Sequence, residues 1–136
     1  MIKIGIDVGS TTAKLVAVDE NDNLLFSKYE RHNAKAKETI LSFLKELLSE
    51  IGDKDISVRI TGSIGMGISE KCSLPFVQEV VAAAKAIQKD YSHVTSMIDI
   101  GGEDAKVVFF KDAEATDLRV NGGQEYIVES GLQPGD

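Results

Sequence analysis

Two segments of the sequence combine a carboxylate, a glycine turn and a lysine in one short span. In the first, residues 5–14, Asp7 ends an apolar run and Gly9 opens a turn rich in Ser and Thr. Such a turn can aim several backbone N–H groups at one anion, and glycine leaves room for its approach. A carboxylate repels phosphate, so we expect Asp7 to hold Mg²⁺ beside a bound phosphate. The residues predicted to bind the phosphate directly are Gly9, Ser10, Thr11, Thr12 and Lys14.

The second segment, residues 98–106, repeats this order. Asp99 ends an apolar run that leads into a glycine turn, and Lys106 follows it at the same interval as in the first segment. Two such hairpins facing each other across a cleft could hold the β- and γ-phosphates of a nucleotide with Mg²⁺ between them, which suits phosphoryl transfer. Asp7 and Asp99 are the predicted metal ligands and catalytic carboxylates. The nucleotide-binding residues predicted in this segment are Gly101, Gly102, Asp104 and Lys106.

Four further side chains could take part in chemistry. Glu79 is a candidate catalytic residue that positions water or relays to the metal in the cleft. The alternative is an ordinary first-turn glutamate, which the helix dipole favours. Cys72 has no Cys-x-x-Cys companion, so we expect it to be an ordinary packed residue. His32 and His93 border predicted loops, and we expect both to be solvated.

The elements that carry these residues follow from the spacing of the apolar positions. Alternation over residues 2–30, broken by two turns, predicts an antiparallel meander of three strands. Apolar residues three and four apart then predict an amphipathic helix that ends at Gly52. The predicted elements are strands over 2–8, 13–19 and 24–30, a helix over 35–51, a strand over 56–61, a flexible glycine-rich segment over 62–67 and a helix from Pro75 to Ile87.

After residue 93 the opening pattern returns as three further predicted strands. Asp7 and Asp99 are 92 residues apart (99 − 7), a spacing typical of a duplicated domain. We therefore predict an α/β protein whose first domain has a mixed sheet of five strands and two helices. The predicted parts are domain one over 1–92, the incomplete start of domain two over 93–123 and a tail of unclear origin over 124–136.

Composition excludes several function classes. The formal net charge is −7 and no run of Lys or Arg occurs, which argues against a nucleic-acid partner. A single cysteine excludes an intrachain disulfide and favours a reducing compartment. No apolar run is long enough for a membrane helix, and Asp7 interrupts the first apolar stretch too early for a signal peptide. We expect a cytoplasmic protein without membrane partners.

The same motifs resemble the ATP-dependent activators of 2-hydroxyacyl-CoA dehydratases and benzoyl-CoA reductases, a branch of the actin-like ATPase superfamily. Residues 5–14 are similar to their first phosphate motif and residues 98–106 to their second; Thr61-Gly62 and Gln78-Glu79 also fit. The resemblance implies ribonuclease-H-like domains, a mixed sheet in each, and ATP with Mg²⁺ between two such domains. The positions that match are Asp7, Gly9, Ser10, Thr11, Lys14, Asp99, Gly101, Gly102, Asp104 and Lys106.

The resemblance also implies a homodimer that shares one four-iron, four-sulfur cluster. In such activators, ATP hydrolysis drives a low-potential electron into the partner dehydratase or reductase. The cluster does not carry over, because no cysteine follows Asn121. The family's adenine pocket and closing helix are also missing. We therefore expect a truncated, N-terminal piece of such an activator, which binds nucleotide poorly and self-associates through the edges of its second hairpin.

Two other functions stay open from the sequence. One is a small-molecule kinase of the same superfamily, acting on a sugar or pantothenate. It would need a carboxylate placed to take the proton of a substrate hydroxyl, and the Gly-Gly-Glu-Asp of the second motif disfavours it. The other is a non-catalytic, actin-like interaction module that keeps the fold without turnover.

Overall fold

The chain forms two compact units, Met1–Gln78 and Glu79–Asp136. The computed structural model describes residues 1–100, 105–111, 114–120 and 125–129. The division lies earlier than the predicted boundary after residue 92, because the helix that begins at Glu79 belongs with the second unit. The assignment of functional domains to 1–92 and 93–123 stays a prediction.

In the first unit, helices pack on a β-sheet that contains the predicted meander. Its sheet has the order β3-β2-β1-β4, with β2 antiparallel to both β1 and β3 and β4 parallel to β1. The sheet is therefore mixed, as predicted, but it has four strands rather than five. The elements are β1 (Ile2–Val8), β2 (Thr12–Val18), β3 (Leu24–Arg31), α1 (Ala36–Ile51), β4 (Ile56–Thr61) and α2 (Gly65–Cys72).

The core lies on one face of this sheet. Alternate residues of β1 and β2 are buried there, and Phe43 and Leu47 of α1 pack against them. Since side chains alternate along a strand, the residues between the buried ones lie on the opposite face, and these include Asp7 and Lys14. Only one side of α1 is covered, so Leu41 is more than half exposed. The buried members of the core on the sheet are Ile2, Ile4, Ile6, Val8, Ala13, Leu15, Ala17, Phe26 and Ile60.

The second half of the glycine-rich segment after β4 is helical from Gly65, so its prediction as a flexible loop was wrong there. Helix α2 begins at Gly65, which is buried, and a side chain there would come within 3.2 Å of the Ile60 side chain. Glycine has low helix propensity, but at this position its small size lets the helix lie against the sheet. Ser73 adopts a left-handed conformation (φ 54°) and its N–H closes the end of α2 on the Ser69 carbonyl.

The helix predicted to start near Pro75 starts instead at Glu79. The segment before it is extended, because it pairs with the free side of β4. The Ile60 N–H donates to the Pro75 carbonyl at 3.0 Å, and the Val77 N–H donates to the Ile60 carbonyl at 2.8 Å. A helix that started here would need the Pro75 carbonyl as an acceptor, and both bonds hold the segment extended, so the pairing delays the helix.

The second unit contains a helix and an antiparallel sheet of order β5-β6-β7-β8. Three of its strands match the predicted return of the opening pattern, and the fourth lies in the predicted tail. In this sheet Asp99 is the register partner of Lys106, just as Asp7 is the register partner of Lys14 in the first. The elements are α3 (Glu79–Asp90), β5 (Ser96–Ile100), β6 (Ala105–Lys111), β7 (Glu114–Val120) and β8 (Glu125–Glu129).

Within the described part of the chain, no helix is both long and apolar enough to cross a membrane. The longest described helix, α1, has 16 residues, and its exposed side carries Lys37, Lys45 and Glu46. A helix of this kind covers a sheet on one side and meets water on the other.

Gly62 follows the last residue of β4 and lies against the end of β1. Its φ is 97°, and a Cβ there would lie 2.2 Å from the Val8 carbonyl oxygen and 2.8 Å from Asp7 Oδ1. The Val8 carbonyl also accepts a hydrogen bond from the Ile64 N–H at 3.0 Å. A side chain at position 62 is therefore excluded both by the backbone conformation and by the lack of space.

We expect Gly62→Ala to lower the free energy of unfolding by about 3 kcal/mol, the sum of a left-handed alanine and an overpacked contact. Urea denaturation followed by circular dichroism measures this. Gly67→Ala is the matched control, since no atom lies within 4 Å of a Cβ at that helical position. It should raise the free energy of unfolding by up to about 1 kcal/mol. Equal effects of the two substitutions would contradict the close contact.

Candidate functional site

A row of polar side chains crosses the open face of the first sheet near one end of its strands. Thr61 of β4 pairs in register with Asp7 of β1, Asp7 with Lys14 of β2, and Lys14 with Tyr29 of β3. The Lys14 Nζ lies 3.6 Å from Asp7 Oδ2 and 5.3 Å from the centre of the Tyr29 ring. The structure thus brings together two of the residues that the sequence predicted to act together.

The Asp7–Lys14 ion pair is open to solvent. The two side chains are 36% and 47% exposed. Exposed pairs of this kind contribute little to stability, because water screens them and two long side chains lose freedom. Lys14 also has a second contact, with the face of Tyr29, that can hold its charge when the carboxylate is engaged elsewhere. Asp7 and Lys14 can therefore exchange their mutual contact for contacts with a ligand at a small cost in free energy.

The turn between β1 and β2, residues 9–12, lies beside this pair. The Gly9 N–H donates to the Thr12 carbonyl at 3.0 Å and closes the turn. Ser10 and Thr11 are exposed, and within the described residues their backbone N–H groups donate to no acceptor. Adjacent N–H groups left open in a turn can bind an anion.

The lack of a side chain at Gly9 matters for the open space beside it, not for the conformation of the turn. Its φ is not in the left-handed region, and no atom lies within 4 Å of a Cβ built there. The turn itself therefore does not require glycine. The absence of a side chain instead leaves open space beside Asp7, where a ligand could approach the backbone.

His32 was not predicted to belong to this site, and the expectation that it is solvated was wrong. Its side chain is only 5% exposed and lies under the 9–12 turn. The ring Nε2 is 2.8 Å from the Gly9 carbonyl oxygen, and Nδ1 accepts from the Ala34 N–H at 3.2 Å. The backbone N–H of His32 donates to the Thr11 carbonyl at 3.1 Å. The β2–β3 register, in which Thr12 faces Arg31, is the signal that places His32 beside the turn.

Two other residues singled out in the first unit, Cys72 and Thr61, differ in their burial. Cys72 is exposed at the end of α2 rather than packed. The Thr61 hydroxyl oxygen is buried and has no hydrogen-bond partner among the described residues. An orphaned buried hydroxyl of this kind requires an explanation, and a water or ligand bound next to Asp7 would supply it.

The residues present can accommodate Mg²⁺ in one particular manner. Nowhere in the described ranges do three His, Cys, Asp or Glu side chains gather as a metal cage. Mg²⁺ in nucleotide sites is usually held by one or two carboxylates, with waters and phosphate oxygens as the other ligands. The half-exposed carboxylate of Asp7, beside the open turn and the orphaned Thr61 hydroxyl, fits this requirement.

The predicted residues of the second unit are placed in part. Asp99 is exposed on β5, and Lys106 is its register partner on β6. Glu79 lies in the first turn of α3 and is exposed, and His93 is exposed as expected. Gly101, Gly102 and Asp104 lie outside the described residues. The meeting of Asp7 and Asp99 at one nucleotide stays a prediction, because they belong to different units.

Comparisons with known proteins match most of the chain. The sequence model of the BadF/BadG/BcrA/BcrD ATPase family matches residues 4–131. The chain is 32% identical over 106 residues to protein MJ0004 of Methanocaldococcus jannaschii, an alignment that covers 77% of this chain and 42% of that protein.

Two solved structures have a similar fold. One is the activator of the 2-hydroxyisocaproyl-CoA dehydratase from Clostridium difficile with bound ADPNP, at 26% identity and a TM-score of 0.68, covering 82% of this chain and 42% of that one. The other is component A of the (R)-2-hydroxyglutaryl-CoA dehydratase of Acidaminococcus fermentans, at 21% identity and a TM-score of 0.69, covering 87% and 47%. The chain therefore spans less than half the length of each of these relatives.

If Asp7 is retained for a ligand rather than for folding, its removal should hardly affect stability. We expect Asp7→Asn to change the free energy of unfolding by less than about 1 kcal/mol, since its ion pair is exposed. Chemical denaturation measures this. Lys3→Met, which breaks the exposed Lys3–Asp22 pair at the other end of β1, is the control and should change it as little. A loss several times larger for Asp7→Asn would give the carboxylate a structural role.

Proposed function

The chain belongs to the BadF/BadG/BcrA/BcrD ATPase family, and from this premise we propose that it is the ATP-binding part of an activator of an acyl-CoA dehydratase or reductase. The family match confirms the resemblance seen in the motifs, and the similar structures confirm the α/β, actin-like ATPase fold. Membership favours this function over the kinase and the non-catalytic module that the sequence left open.

One observation carries the nucleotide part of this proposal. An exposed Asp7–Lys14 pair lies beside the 9–12 turn, whose Ser10 and Thr11 N–H groups are open for an acceptor. A polyphosphate chelated by Mg²⁺ presents both signs of charge, so it can bind a lysine, backbone donors and a carboxylate at the same time. Neither a neutral ligand nor a bare anion would use all of these groups.

Each group has a separate task at the phosphates. The open N–H groups of Ser10 and Thr11, with the hydroxyls of Ser10, Thr11 and Thr12, donate to phosphate oxygens. Lys14 turns from Asp7 and Tyr29 to neutralise phosphate charge. Asp7 would hold Mg²⁺, and the buried Thr61 hydroxyl on the neighbouring strand would be available to a water beside it. When bound, Mg²⁺ would neutralise the charge that develops on the phosphate oxygens during transfer.

We propose that the second unit also takes part in nucleotide binding. Its Asp99 and Lys106 repeat the register of Asp7 and Lys14, an arrangement that suits phosphate binding in the same manner. Glu79, at the start of α3, would position the attacking water. The remaining residues proposed for this half are Gly101, Gly102 and Asp104.

The residues of this chain do not fit an iron–sulfur cluster. Such clusters are held by four cysteine thiolates, whereas the chain has one cysteine, Cys72, at the exposed end of α2. We therefore assign only nucleotide binding to the described residues. For the whole protein we propose coupling of ATP hydrolysis to electron transfer, a dehydratase or reductase partner, self-association and a cytoplasmic location. The similar activators are about twice as long as this chain.

Isothermal titration with ATP tests the proposal directly. We expect binding that depends on Mg²⁺, and Lys14→Met should weaken it by about tenfold or more, because a charge-assisted hydrogen bond to phosphate is lost. Asp7→Asn should remove the Mg²⁺ dependence, so that its affinity is the same with Mg²⁺ and with EDTA.

Lys3→Met provides the matched control for this titration. Lys3 lies on the same strand and face as Asp7 but at the other end of β1, where it pairs with Asp22. Its replacement removes one positive charge, as Lys14→Met does, and ATP affinity should not change. The proposal fails if wild-type protein binds no ATP, or if Lys3→Met and Lys14→Met weaken binding equally.

A further inference from the structure

Among the residues whose burial the structure describes, His32 is the only ionisable one that is buried. It follows β3 and lies beneath the 9–12 turn, which is formed by residues more than twenty positions earlier. Burial of a histidine is tolerated when its polar atoms are satisfied, and here both ring nitrogens have partners. The proposed nucleotide contacts do not include this side chain, so its placement needs a separate reason.

The two ring contacts assign the tautomer. Nδ1 faces the Ala34 N–H and must accept, so in the neutral ring the hydrogen is on Nε2. Nε2–H therefore donates to the Gly9 carbonyl oxygen at 2.8 Å. The backbone N–H of His32 adds a bond to the Thr11 carbonyl at 3.1 Å. One residue thus binds two of the carbonyl oxygens of the turn.

Peptide geometry makes this arrangement relevant to an anion. Within a planar trans peptide the C=O and the following N–H point in opposite directions. The Gly9 carbonyl shares its peptide with the Ser10 N–H, and the Thr11 carbonyl shares its peptide with the Thr12 N–H. Because His32 holds both carbonyl oxygens on its own side, it turns these N–H groups away from itself. It also keeps two negative dipole ends away from an incoming phosphate.

The segment after His32 has a strained backbone, and this backbone places a hydrogen-bond donor against the His32 ring. The Lys35 N–H donates to the His32 carbonyl at 2.8 Å, which closes a tight turn. Asn33 and Ala34 have positive φ values of 50° and 61°. Glycine and asparagine are the usual residues in such a turn, and alanine is unfavourable there. The strained conformation places the Ala34 N–H against Nδ1, and strain of this kind is often retained at functional sites.

We propose that His32 is a positioning residue that orients the 9–12 turn for the phosphates of a nucleoside triphosphate. This inference rests on the proposed function. His32 touches no phosphate itself. Its Nε2–H and backbone N–H fix the turn so that binding does not have to reorder it, and pre-ordering of this kind raises affinity.

Three substitutions distinguish the effect of the hydrogen-bond donor of His32 from the effect of its ring size. His32→Phe keeps a buried ring without a donor, His32→Gln places an amide donor within reach of the Gly9 carbonyl, and His32→Asn carries an amide that is too short to reach it. We expect ATP·Mg²⁺ affinity, measured by titration calorimetry, to fall about tenfold in the Phe and Asn variants, because one hydrogen bond that orders the turn is lost. His32→Gln should restore most of it.

Stability is measured in parallel, with Phe43→Leu as the control. Phe43 is fully buried on α1 and loses packing when shortened, but it has no part in the turn. Its ATP affinity should equal that of the wild type. If His32 served only stability, affinity would instead follow stability across all variants, and His32→Gln would show no specific rescue. If His32→Phe does not fold, the Gln and Asn pair gives the same comparison.

The failures of the two proposals can be told apart. Wild-type protein that binds ATP with the same affinity as His32→Phe and His32→Asn overturns the role of His32 and leaves the proposed function standing. Wild-type protein that binds no ATP overturns the proposed function and a role for His32 at phosphates. In that case, ¹⁵N NMR of the ring tests the hydrogen bond from His32 Nε2 to the Gly9 carbonyl. This bond requires the ring hydrogen on Nε2, so a hydrogen on Nδ1 contradicts it.

Discussion

Every feature of the candidate site depends on the one-sided burial of β1 and β2. Ile4 and Ile6 of β1 and Leu15 of β2 lie in the core, so the residues between them face the other way. The register of the hairpin then sets Asp7 opposite Lys14 on the open face. A slip of one residue would exchange the two faces, which would bury charge and expose the core, so packing fixes the register strongly. The hydrophobic core therefore specifies the position of the charged pair that lies outside it.

The parts of the fold that depend on local pattern could be predicted from the sequence. The meander, α1 and the strand before Gly62 follow from alternation, helical spacing and turn residues. The repeat of the aspartate–lysine interval also predicted the shared register, because in a tight hairpin the interval determines which residues face each other. These features need no knowledge of distant contacts.

The parts that were missed depend on contacts between distant residues. Gly65 has low helix propensity, yet α2 begins there because a small residue is needed against Ile60. Pro75 suits a helix start, but the backbone there pairs with β4 instead. His32 borders a loop in the sequence, and only the pairing of β3 with β2 brings its ring under Gly9. In each case a specific neighbour overrides a correct local preference.

The candidate site is held together by two kinds of contact that differ in their exposure. Lys14 is held by an open carboxylate and by a tyrosine that is mostly exposed, so dissolved ions reach both contacts. The bonds from His32 to the turn are formed by a buried residue and end on backbone carbonyl oxygens. Ionic strength therefore acts unequally on the two kinds of contact. At 0.1 M salt, where charges are screened over about 10 Å, the contacts of Lys14 weaken, while the backbone donors of the turn keep their orientation. A change in salt concentration therefore alters the charged contacts of the site more than the conformation of its turn.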